Sequence, residues 1–259
     1  MRRTITGFSN PTVKHLRSLR DKKHRRRERQ FLAEGLRLLT DARHAGRLPE
    51  MLVMAAGRPP HPLLDELEAA VAAAGGEVIE TDEEILAKIT GKDNPQAVAG
   101  VFAEFDTTLA ALDRTAAPIW LVAQALRDPG NLGTMLRTGD AVGAGGLILI
   151  DECADPFSVE AVRASMGAIF TQRLAQAQWA DFLPWLRSGA GQLVAASLRD
   201  AQPYRGASYA APCFILVGNE SRGLPEEYEA ACDLRVALPL HGRADSLNAA
   251  VAGAVPAYE

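Results

Sequence analysis

The sequence lacks several features that would assign it to particular protein classes. No apolar run approaches the roughly 18 residues that a membrane-spanning helix needs, and Met1-Arg2-Arg3-Thr4 leads into polar sequence without the apolar region of a signal peptide. The three cysteines, Cys153, Cys213 and Cys232, are odd in number and form no CxxC pair. Such cysteines are typical of reduced, buried thiols in a cytoplasmic protein, and this is the location that we expect.

Sequence signals for metal and nucleotide binding are also missing. The five histidines are scattered and none has HExxH-type spacing, so we expect no metal site. The chain has no GxGxxG fingerprint with an acid about 20 residues further on, which disfavours a dinucleotide-dependent oxidoreductase. Aromatic residues make up only 6% of the chain, which disfavours extensive stacking on nucleic-acid bases.

Short apolar strands alternate with helices along most of the chain. This alternation predicts an α/β protein whose parallel sheet is covered by helices on both faces. With 259 residues, of which 47% are hydrophobic and 23% charged, the chain is long enough for two globular domains. We predict a smaller α/β domain over residues 1–103, a linker over 104–117 and a larger domain over 118–259.

Basic residues are concentrated near the N-terminus, although the net charge of the chain is -4. Between Lys14 and Arg29 there are nine Lys or Arg residues and two acids, a local +7, so the remainder carries -11. A solvated helix face explains a basic run about as well as a binding site does. The asymmetry nevertheless indicates an anionic partner for this segment. The residues expected to contact that partner are Lys14, Arg17, Lys22, Lys23, Arg25, Arg26 and Arg27.

Three segments of the larger domain place glycine and polar residues where predicted strands end. In Asn131–Thr138, Asn131 is expected in the turn after the first strand of this domain and Arg137 in about the second turn of the helix that follows. Val217–Leu224 carries Gly218 at the end of a buried strand. Near the C-terminus, Leu238-Pro239-Leu240 precedes Ser246-Leu247-Asn248, in which Ser246 is the expected N-cap of a small-residue helix. Because glycine leaves the backbone bare, a flat ligand can approach closely. We predict one pocket at this edge of the sheet.

In this order and spacing, the three segments resemble the motifs of the SpoU (TrmH-type) RNA ribose 2'-O-methyltransferases of the SPOUT superfamily. The stretch Arg163–Ala168 is also typical of them. The resemblance covers about residues 119–259. The first hundred residues are similar, more loosely, to the L30-like substrate-binding domain that is often fused ahead of such enzymes.

The resemblance implies a deep trefoil knot in the larger domain, although unknotted chains are the rule. It also implies S-adenosylmethionine as cofactor, a homodimer and no metal requirement. Ordinary strand termination would explain Gly218 and Leu238 equally well, and helix capping would explain Asn248. The residues implied in cofactor binding are Leu216, Gly218, Asn219, Leu238, Leu240, Leu247 and Asn248. The residues implied in catalysis are Arg137, Asn131, Glu220, Ser246 and Asn248.

Methyl transfer to a ribose hydroxyl needs a group that removes the proton or polarises the oxygen. By the family pattern Arg137 activates the 2'-hydroxyl, but a guanidinium with a pKa above about 12 is a reluctant base. Arg137 would alternatively hold the neighbouring phosphate and stabilise the developing alkoxide. Asn131 would orient Arg137 or the ribose, and Glu220 would accept a hydrogen bond from Arg137 or from RNA. Ser246 and Asn248 would shape the loop.

The function implied is transfer of a methyl group to a ribose 2'-hydroxyl of RNA. The L30-like domain favours ribosomal RNA, with transfer RNA methylation and a non-catalytic RNA-binding assembly factor as alternatives. One residue departs from the family pattern, since Pro256 stands where an aliphatic residue is usual. Proline removes the hydrogen bond to the Ala252 carbonyl and should kink or end the last helix, which puts the dimer packing in doubt.

Overall fold

The computed structural model describes residues 2–219, 221–240, 242 and 247–259. They form two compact units: residues up to 105 together with 155–171, and residues 106–154 together with 172–259. The α/β class predicted from the sequence is confirmed, whereas the domain boundaries at 103 and 118 stay a prediction. No described helix is both long enough and apolar enough to span a membrane.

Strands and helices alternate along the chain as expected. The strands are β1 (Arg2–Ile5), β2 (Gln30–Glu34), β3 (Met51–Ala55), β4 (Glu77–Thr81), β5 (Val98–Ala103), β6 (Ile119–Gln124), β7 (Gly146–Ile150), β8 (Arg173–Ala177), β9 (Gln192–Ala196), β10 (Gln202–Pro203), β11 (Cys213–Val217) and β12 (Leu234–Ala237). The helices are α1 (Pro11–Ser18), α2 (Lys22–Glu28), α3 (Leu36–His44), α4 (Pro62–Ala73), α5 (Glu83–Thr90), α6 (Pro129–Ala141), α7 (Val159–Ala164), α8 (Ala168–Thr171), α9 (Trp179–Arg187), α10 (Glu226–Ala230) and α11 (Ala249–Ala257).

The first unit is built on a five-stranded sheet in the order β1-β4-β3-β5-β2. Strands β1, β4 and β3 are parallel, whereas β5 runs antiparallel to β3 and β2. The apolar side chains of α1 and α5 are buried against the sheet, with Leu16 and Leu86 both 0% exposed. Asn10 caps α1 by accepting a hydrogen bond from the Thr12 amide, and Pro11 occupies the first turn, where its missing N–H costs nothing.

Helix α2 contains the basic run. Asp21 caps it by accepting a hydrogen bond from the Lys23 amide, so the run forms a helix with a defined start. Arg25 is its buried residue, only 3% exposed, and its Nη2 donates to Asp155 Oδ2 at 2.7 Å. Arg25 Nη1 donates to the carbonyls of Leu19 at 2.8 Å and Arg20 at 2.7 Å. Arg25 is therefore part of the interior of the first unit, and its buried guanidinium is not accessible to a phosphate in solvent.

A cluster of phenylalanines joins residues 155–171 to the first unit. Phe31 of β2 lies 5.0 Å from Phe157, and Phe102 of β5 lies 4.7 Å from Phe170, measured between ring centroids. Such tilted ring contacts add to the burial of large apolar side chains. The segment follows β7 in the chain, but its apolar side chains complete the core of the other unit.

The second unit contains the predicted parallel sheet. Its seven strands have the order β10-β12-β9-β11-β6-β7-β8, and every pair is parallel. Strands β7 and β11 are buried along their whole length, as continuous apolar strands beneath helices on both faces should be. The chain runs from β6 to β8 in one direction and then returns to place β9 beyond β11. In open parallel sheets, ligands bind at the carboxyl ends of the strands where the order reverses in this way.

Several elements differ from the sequence prediction. Strands β1, β8 and β10 were not predicted. Strands β1 and β10 are sheet edges with mostly exposed residues, so they carry little apolar signal. Within the predicted linker, the Thr107 carbonyl accepts a hydrogen bond from the Gln176 amide of β8 at 2.8 Å. Burial raises the pKa of the Cys153 and Cys213 thiols to about 11, which keeps both protonated at neutral pH.

Helix α11 also differs in its start. It begins at Ala249, and its N-cap is Asn248, so the expectation that Ser246 caps this helix is wrong. Ser246 itself lies outside the described residues. The helix includes Pro256 and ends one residue later, at Ala257, so the proline itself does not end it. The implied trefoil knot stays a prediction.

Candidate functional site

A cavity of about 650 Å³ opens at the carboxyl edge of the second sheet. It lies where β9, β11 and β12 end, next to the reversal of strand order. One part of its lining is apolar and includes Val217, Leu238, Leu240 and Leu247, and another part is polar. The remaining lining residues are Ala196, Ser197, Leu198, Arg199, Gly218, Asn219, Ser221, Arg222, Gly223, Leu224, Glu229, Val236, Ala249 and Ala252.

Gly218 shapes the turn that leaves β11. A Cβ at this position would lie 2.4 Å from the carbonyl carbon of Gly223 and 2.5 Å from the amide nitrogen of Leu224. Both are backbone atoms, which cannot move aside as a flexible side chain can. Gly223 has a φ of +67°, in the left-handed region that glycine adopts without cost. The backbone at residue 218 therefore packs against the Gly223–Leu224 peptide, at a distance that only glycine at 218 permits.

Asn219 ties this loop to the loop after β6. Its Oδ1 accepts hydrogen bonds from the amides of Ser221 at 3.0 Å and Arg222 at 3.2 Å, and its Nδ2 donates to the Ala125 carbonyl at 2.9 Å. Ala125 has a φ of +49°, a conformation that a non-glycine residue holds only when its surroundings enforce it. A single amide side chain thus joins the loop after β11 to the loop after β6.

The N-terminal ends of α6 and α11 meet beside the cavity. Asn248 Nδ2 donates to Asn131 Oδ1 at 2.7 Å, between residues that are 117 positions apart in the chain. Asn248 also caps α11, because its Oδ1 accepts from the Ala250 amide at 2.9 Å. Asp128 caps α6 by accepting from the Asn131 amide at 2.6 Å, so Asn131 lies in the first helical turn rather than in the preceding loop. Two helix N-termini carry partial positive charge, which favours oxygen-rich or anionic groups here.

Arg137 lies two turns into α6 and is exposed. Within the described part of the chain, no hydrogen bond or ion pair engages its guanidinium. A cation that is left open to solvent on the helix that carries Asn131 can bind an external anion, such as a phosphate.

The structure brings together most of the predicted site residues. Gly218, Asn219, Leu238, Leu240 and Leu247 line the cavity, and Asn248 adjoins it through Leu247 and Asn131. Leu216 does not line it, because this side chain is 0% exposed in the apolar core of the sheet. Glu220 and Ser246 lie outside the described residues. Among the described residues, no group of three or more potential ligands could hold a metal ion.

Sequence reasoning missed the polar wall of the cavity, which Ser197, Arg199 and Glu229 form. Glu229 is 5% exposed; Ser197 Oγ donates to its Oε1 at 2.5 Å, and Arg199 Nη1 lies 3.0 Å from its Oε2. Ser197 and Arg199 directly follow β9, whose residues 193–196 form a short apolar run in the sequence, so the rule for parallel strand ends would have found them. Glu229 gives no such signal, because Glu226, Glu227 and Glu229 look alike in the sequence.

Helix α10, which carries Glu229, is held by its neighbour Tyr228. The Tyr228 ring stacks on Trp179 at 3.9 Å between centroids, and its hydroxyl donates to Asp151 Oδ2 at 3.0 Å. Burial, followed by the bond to the Asp151 carboxylate, raises the pKa of Tyr228 to about 12, so this donor persists at neutral pH. The short helix is thereby fixed, and Glu229 is kept at the cavity wall.

The basic residues of the first unit divide into two groups. Lys14, Arg17, Lys22, Lys23 and Arg26 are exposed, and in the part of the chain that the structure describes none has an ion-pair partner. Arg27 is exposed but pairs with Glu28 at 2.6 Å. Arg25 is buried with all the contacts given above, so its placement argues against the predicted role in binding an external anion.

The sequence matches two models of known families. The SpoU rRNA Methylase family matches residues 118–258, and the MRM3-like substrate binding domain matches residues 10–100, where an L30-like domain was expected. A Bacillus subtilis protein named 23S rRNA (guanosine(2553)-2'-O)-methyltransferase RlmP is 30% identical over 98% of this chain and 97% of its own length.

Solved structures agree with this result. An AdoMet-bound rRNA methyltransferase from Sinorhizobium meliloti has a TM-score of 0.92 and 39% identity, with coverage of 99% of this chain and 96% of that one. The SpoU methyltransferase AviRb from Streptomyces viridochromogenes, in complex with AdoMet, has a TM-score of 0.85 and 25% identity over 96% of both chains. With a family model over more than half of its length and a relative aligned over nearly all of it, the chain belongs to the SpoU rRNA Methylase family.

Proposed function

We propose that this protein transfers a methyl group from S-adenosylmethionine to a ribose 2'-hydroxyl of ribosomal RNA. The observation that carries the proposal is the cavity at the carboxyl edge of the second sheet, which the loops of two predicted motif segments line and the third adjoins. Ribosomal RNA is favoured because relatives that match over nearly the whole chain are named rRNA methyltransferases. Transfer RNA is the alternative substrate.

The cavity residues fit S-adenosylmethionine. A volume of about 650 Å³ lies within the range of about 300–1,000 Å³ that is usual for cofactor sites. The leucines at 238, 240 and 247 offer an apolar slot for adenine, and Glu229 adds a buried carboxylate with hydrogen-bonding capacity to the cavity lining. When bound, the cofactor would supply an electrophilic methyl group on a sulfonium. Gly218 and Asn219 would hold the loop against it.

The polar groups beside the cavity suit the RNA side of the reaction. Arg137 would bind the phosphate next to the target ribose or stabilise the oxygen as it loses its proton. The hydrogen bond between Asn131 and Asn248 would fix the side chain of Asn131 toward the ribose or toward Arg137. Glu220 and Ser246 keep their predicted roles as proposals without geometric support. Positioning of the hydroxyl by these groups would supply much of the rate.

The exposed cations of α1 and α2 would bind RNA phosphates. They are Lys14, Arg17, Lys22, Lys23, Arg26 and, with its partial pairing, Arg27. We leave Arg25 out of this contact because its guanidinium is buried and hydrogen-bonded to Asp155, Leu19 and Arg20.

A cytoplasmic location is also proposed. It is supported by the proposed action on ribosomal RNA and by three cysteines that form no disulfide. Fractionation of cells that express the tagged chain tests this location.

The transfer assay is the first test of function. Labelled S-adenosylmethionine is incubated with the protein and with ribosomal or transfer RNA, and the RNA is then hydrolysed in alkali. Because a 2'-O-methyl group blocks cleavage of the backbone, label in alkali-resistant dinucleotides is expected, and the labelled RNA identifies the substrate. Label in mononucleotides would mean base methylation and contradict the proposal. Cofactor binding without any transfer would favour an assembly intermediate as substrate, and absence of cofactor binding would favour an assembly factor.

We expect Arg137→Ala to lower the rate of methyl transfer about 100-fold or more while cofactor binding persists. The control is Arg127→Ala, which replaces an exposed arginine paired with Glu152 and should leave transfer unchanged.

Two substitutions separate the capping role of Asn248 from its contact with Asn131. Asn248→Asp keeps a good N-cap but loses the Nδ2 donor, whereas Asn248→Ala loses both, at a cost of roughly 1 kcal/mol in stability. We expect the aspartate variant to melt like the parent yet to transfer methyl groups more slowly. Equal transfer rates in the parent and the aspartate variant would reduce Asn248 to a helix cap.

The basic surface is tested by the salt dependence of RNA affinity. Replacing Lys22, Lys23, Arg26 and Arg27 together with alanine should weaken binding and reduce the slope of log affinity against log salt by about 3, since each phosphate contact contributes about 0.7–0.9. Arg2→Ala is the matched control, because this arginine is already paired with Glu68 and Glu80. An unchanged slope in the fourfold variant would make α2 an ordinary solvated helix.

A homodimer through the second unit is also proposed, as the family resemblance implies. Its support is the apolar surface of the C-terminal helix, where Val251 is 45% exposed and Tyr258 68% exposed. We expect sedimentation equilibrium to give twice the chain mass and Val251→Glu to give the single-chain mass, with Leu63→Glu in the first unit as control. A single-chain mass for the unmodified protein would refute the dimer.

A further inference from the structure

We infer that Glu229 recognises the ribose hydroxyls of the bound cofactor, with Ser197 and Arg199 as the positioning residues that hold its carboxylate at the cavity wall. This inference rests on the proposed function, since it takes S-adenosylmethionine as the occupant of the cavity. It assigns a role to three residues that none of the predicted motif segments contains.

The first reason is the burial of Glu229. A carboxylate that is 5% exposed has lost most of its hydration, which is unfavourable unless other groups satisfy its oxygens. Ser197 Oγ donates to Oε1 at 2.5 Å. Oε2 is 3.0 Å from Arg199 Nη1 in an ion pair, but no group in the described chain makes an aligned hydrogen bond to it. A carboxylate accepts about four hydrogen bonds, so Glu229 has acceptor capacity left, and this residue is part of the cavity lining.

The second reason is charge. Arg199 offsets the negative charge of Glu229, so the wall is close to neutral and suits hydroxyl groups, which both donate and accept. A carboxylate that accepts from ribose hydroxyls is a common solution in nucleotide-binding folds. Arg199 is half-exposed, and its Nη1 also lies 3.9 Å from Glu226 Oε2, so two carboxylates attract its guanidinium.

The third reason is position along the sheet. Ser197 follows β9, and its amide donates to the Val236 carbonyl of the adjacent strand β12 at 3.0 Å. Leu238 and Leu240, the apolar slot suited to adenine, directly follow β12. Arg137 and Asn131 belong to α6 after β6, which lies on the other side of β11. In S-adenosylmethionine the ribose is bonded directly to adenine, and the reactive methyl group must face Arg137. With adenine in the apolar slot at Leu238 and Leu240, the part of the cofactor nearest the polar wall is therefore the ribose.

The test measures binding, by isothermal titration calorimetry, of two ligands that share the adenosine ribose. S-adenosylhomocysteine carries the amino-acid part, and 5'-methylthioadenosine lacks it. Glu229→Gln should weaken both by the same factor, about 10- to 100-fold, as expected for loss of hydrogen bonds to a charged acceptor. Glu226→Gln is the matched control, because this acid lies near the same arginine but is exposed.

The other outcomes are distinct. Weaker binding of S-adenosylhomocysteine alone would assign Glu229 to the α-ammonium group and overturn the inference. Unchanged binding of both ligands would leave Glu229 a structural partner of Ser197 and Arg199. If the unmodified protein binds neither ligand, the proposed function fails before the inference is reached.

A second measurement does not depend on the folding of a variant. The unmodified protein is titrated with S-adenosylhomocysteine and with its 2'-deoxy and 3'-deoxy ribose analogues. We expect at least one analogue to bind about tenfold or more weakly, because the carboxylate oxygen would be left without its donor. Equal affinity for all three would overturn the inference.

Discussion

The close approach of two backbone segments at Gly218 is the constraint on which the rest of the site depends. The chain leaves β11, folds back, and brings the Gly223–Leu224 peptide to where a side chain at 218 would stand. Asn219 can then reach both the amides of its own loop and the carbonyl of Ala125 on the neighbouring loop. The left-handed conformation of Ala125 is held by that contact and by the bond of its amide to the Ile150 carbonyl. Strained backbone of this kind is typical of sites where function fixes the geometry.

The same edge of the sheet collects groups that belong to distant parts of the chain. Parallel strands all end on one side, so the residues after β6, β9, β11 and β12 gather there whatever their separation in sequence. The cavity is apolar where the leucines lie and polar where Ser197, Arg199 and Glu229 lie. Two helix N-termini adjoin it, joined by the bond between Asn248 and Asn131. This division suits a ligand that is partly flat and apolar and partly rich in hydroxyls and charge.

The basic residues of α2 in the first unit have two different environments, one buried and one exposed to solvent. In α2, Arg25 points into the unit and pairs with Asp155, while Lys22, Lys23 and Arg26 stay in solvent. A buried pair of this kind costs much when one partner is removed, because the other charge is left without compensation. The partner of Arg25 comes from residues 155–171, which also bring Phe157 and Phe170 to the phenylalanine cluster. The unit therefore depends on a segment that lies far beyond residue 105 in the chain.

The sequence by itself determined the features that are local and periodic. Apolar runs specified β3, β7 and β11, and the order of glycine and asparagine motifs specified the family, because these signals need only neighbours in the chain. Tertiary structure decided the rest. Nothing local distinguishes Arg25 from Arg26, or Glu229 from Glu227, since burial depends on which face of a helix meets the core. The cap of α11 at Asn248 rather than Ser246, and its bond to Asn131 across 117 residues, follow from the packing of α11 against α6. Long-range pairing of this kind is set by the folded sheet, because only the fold brings such residues within hydrogen-bonding distance.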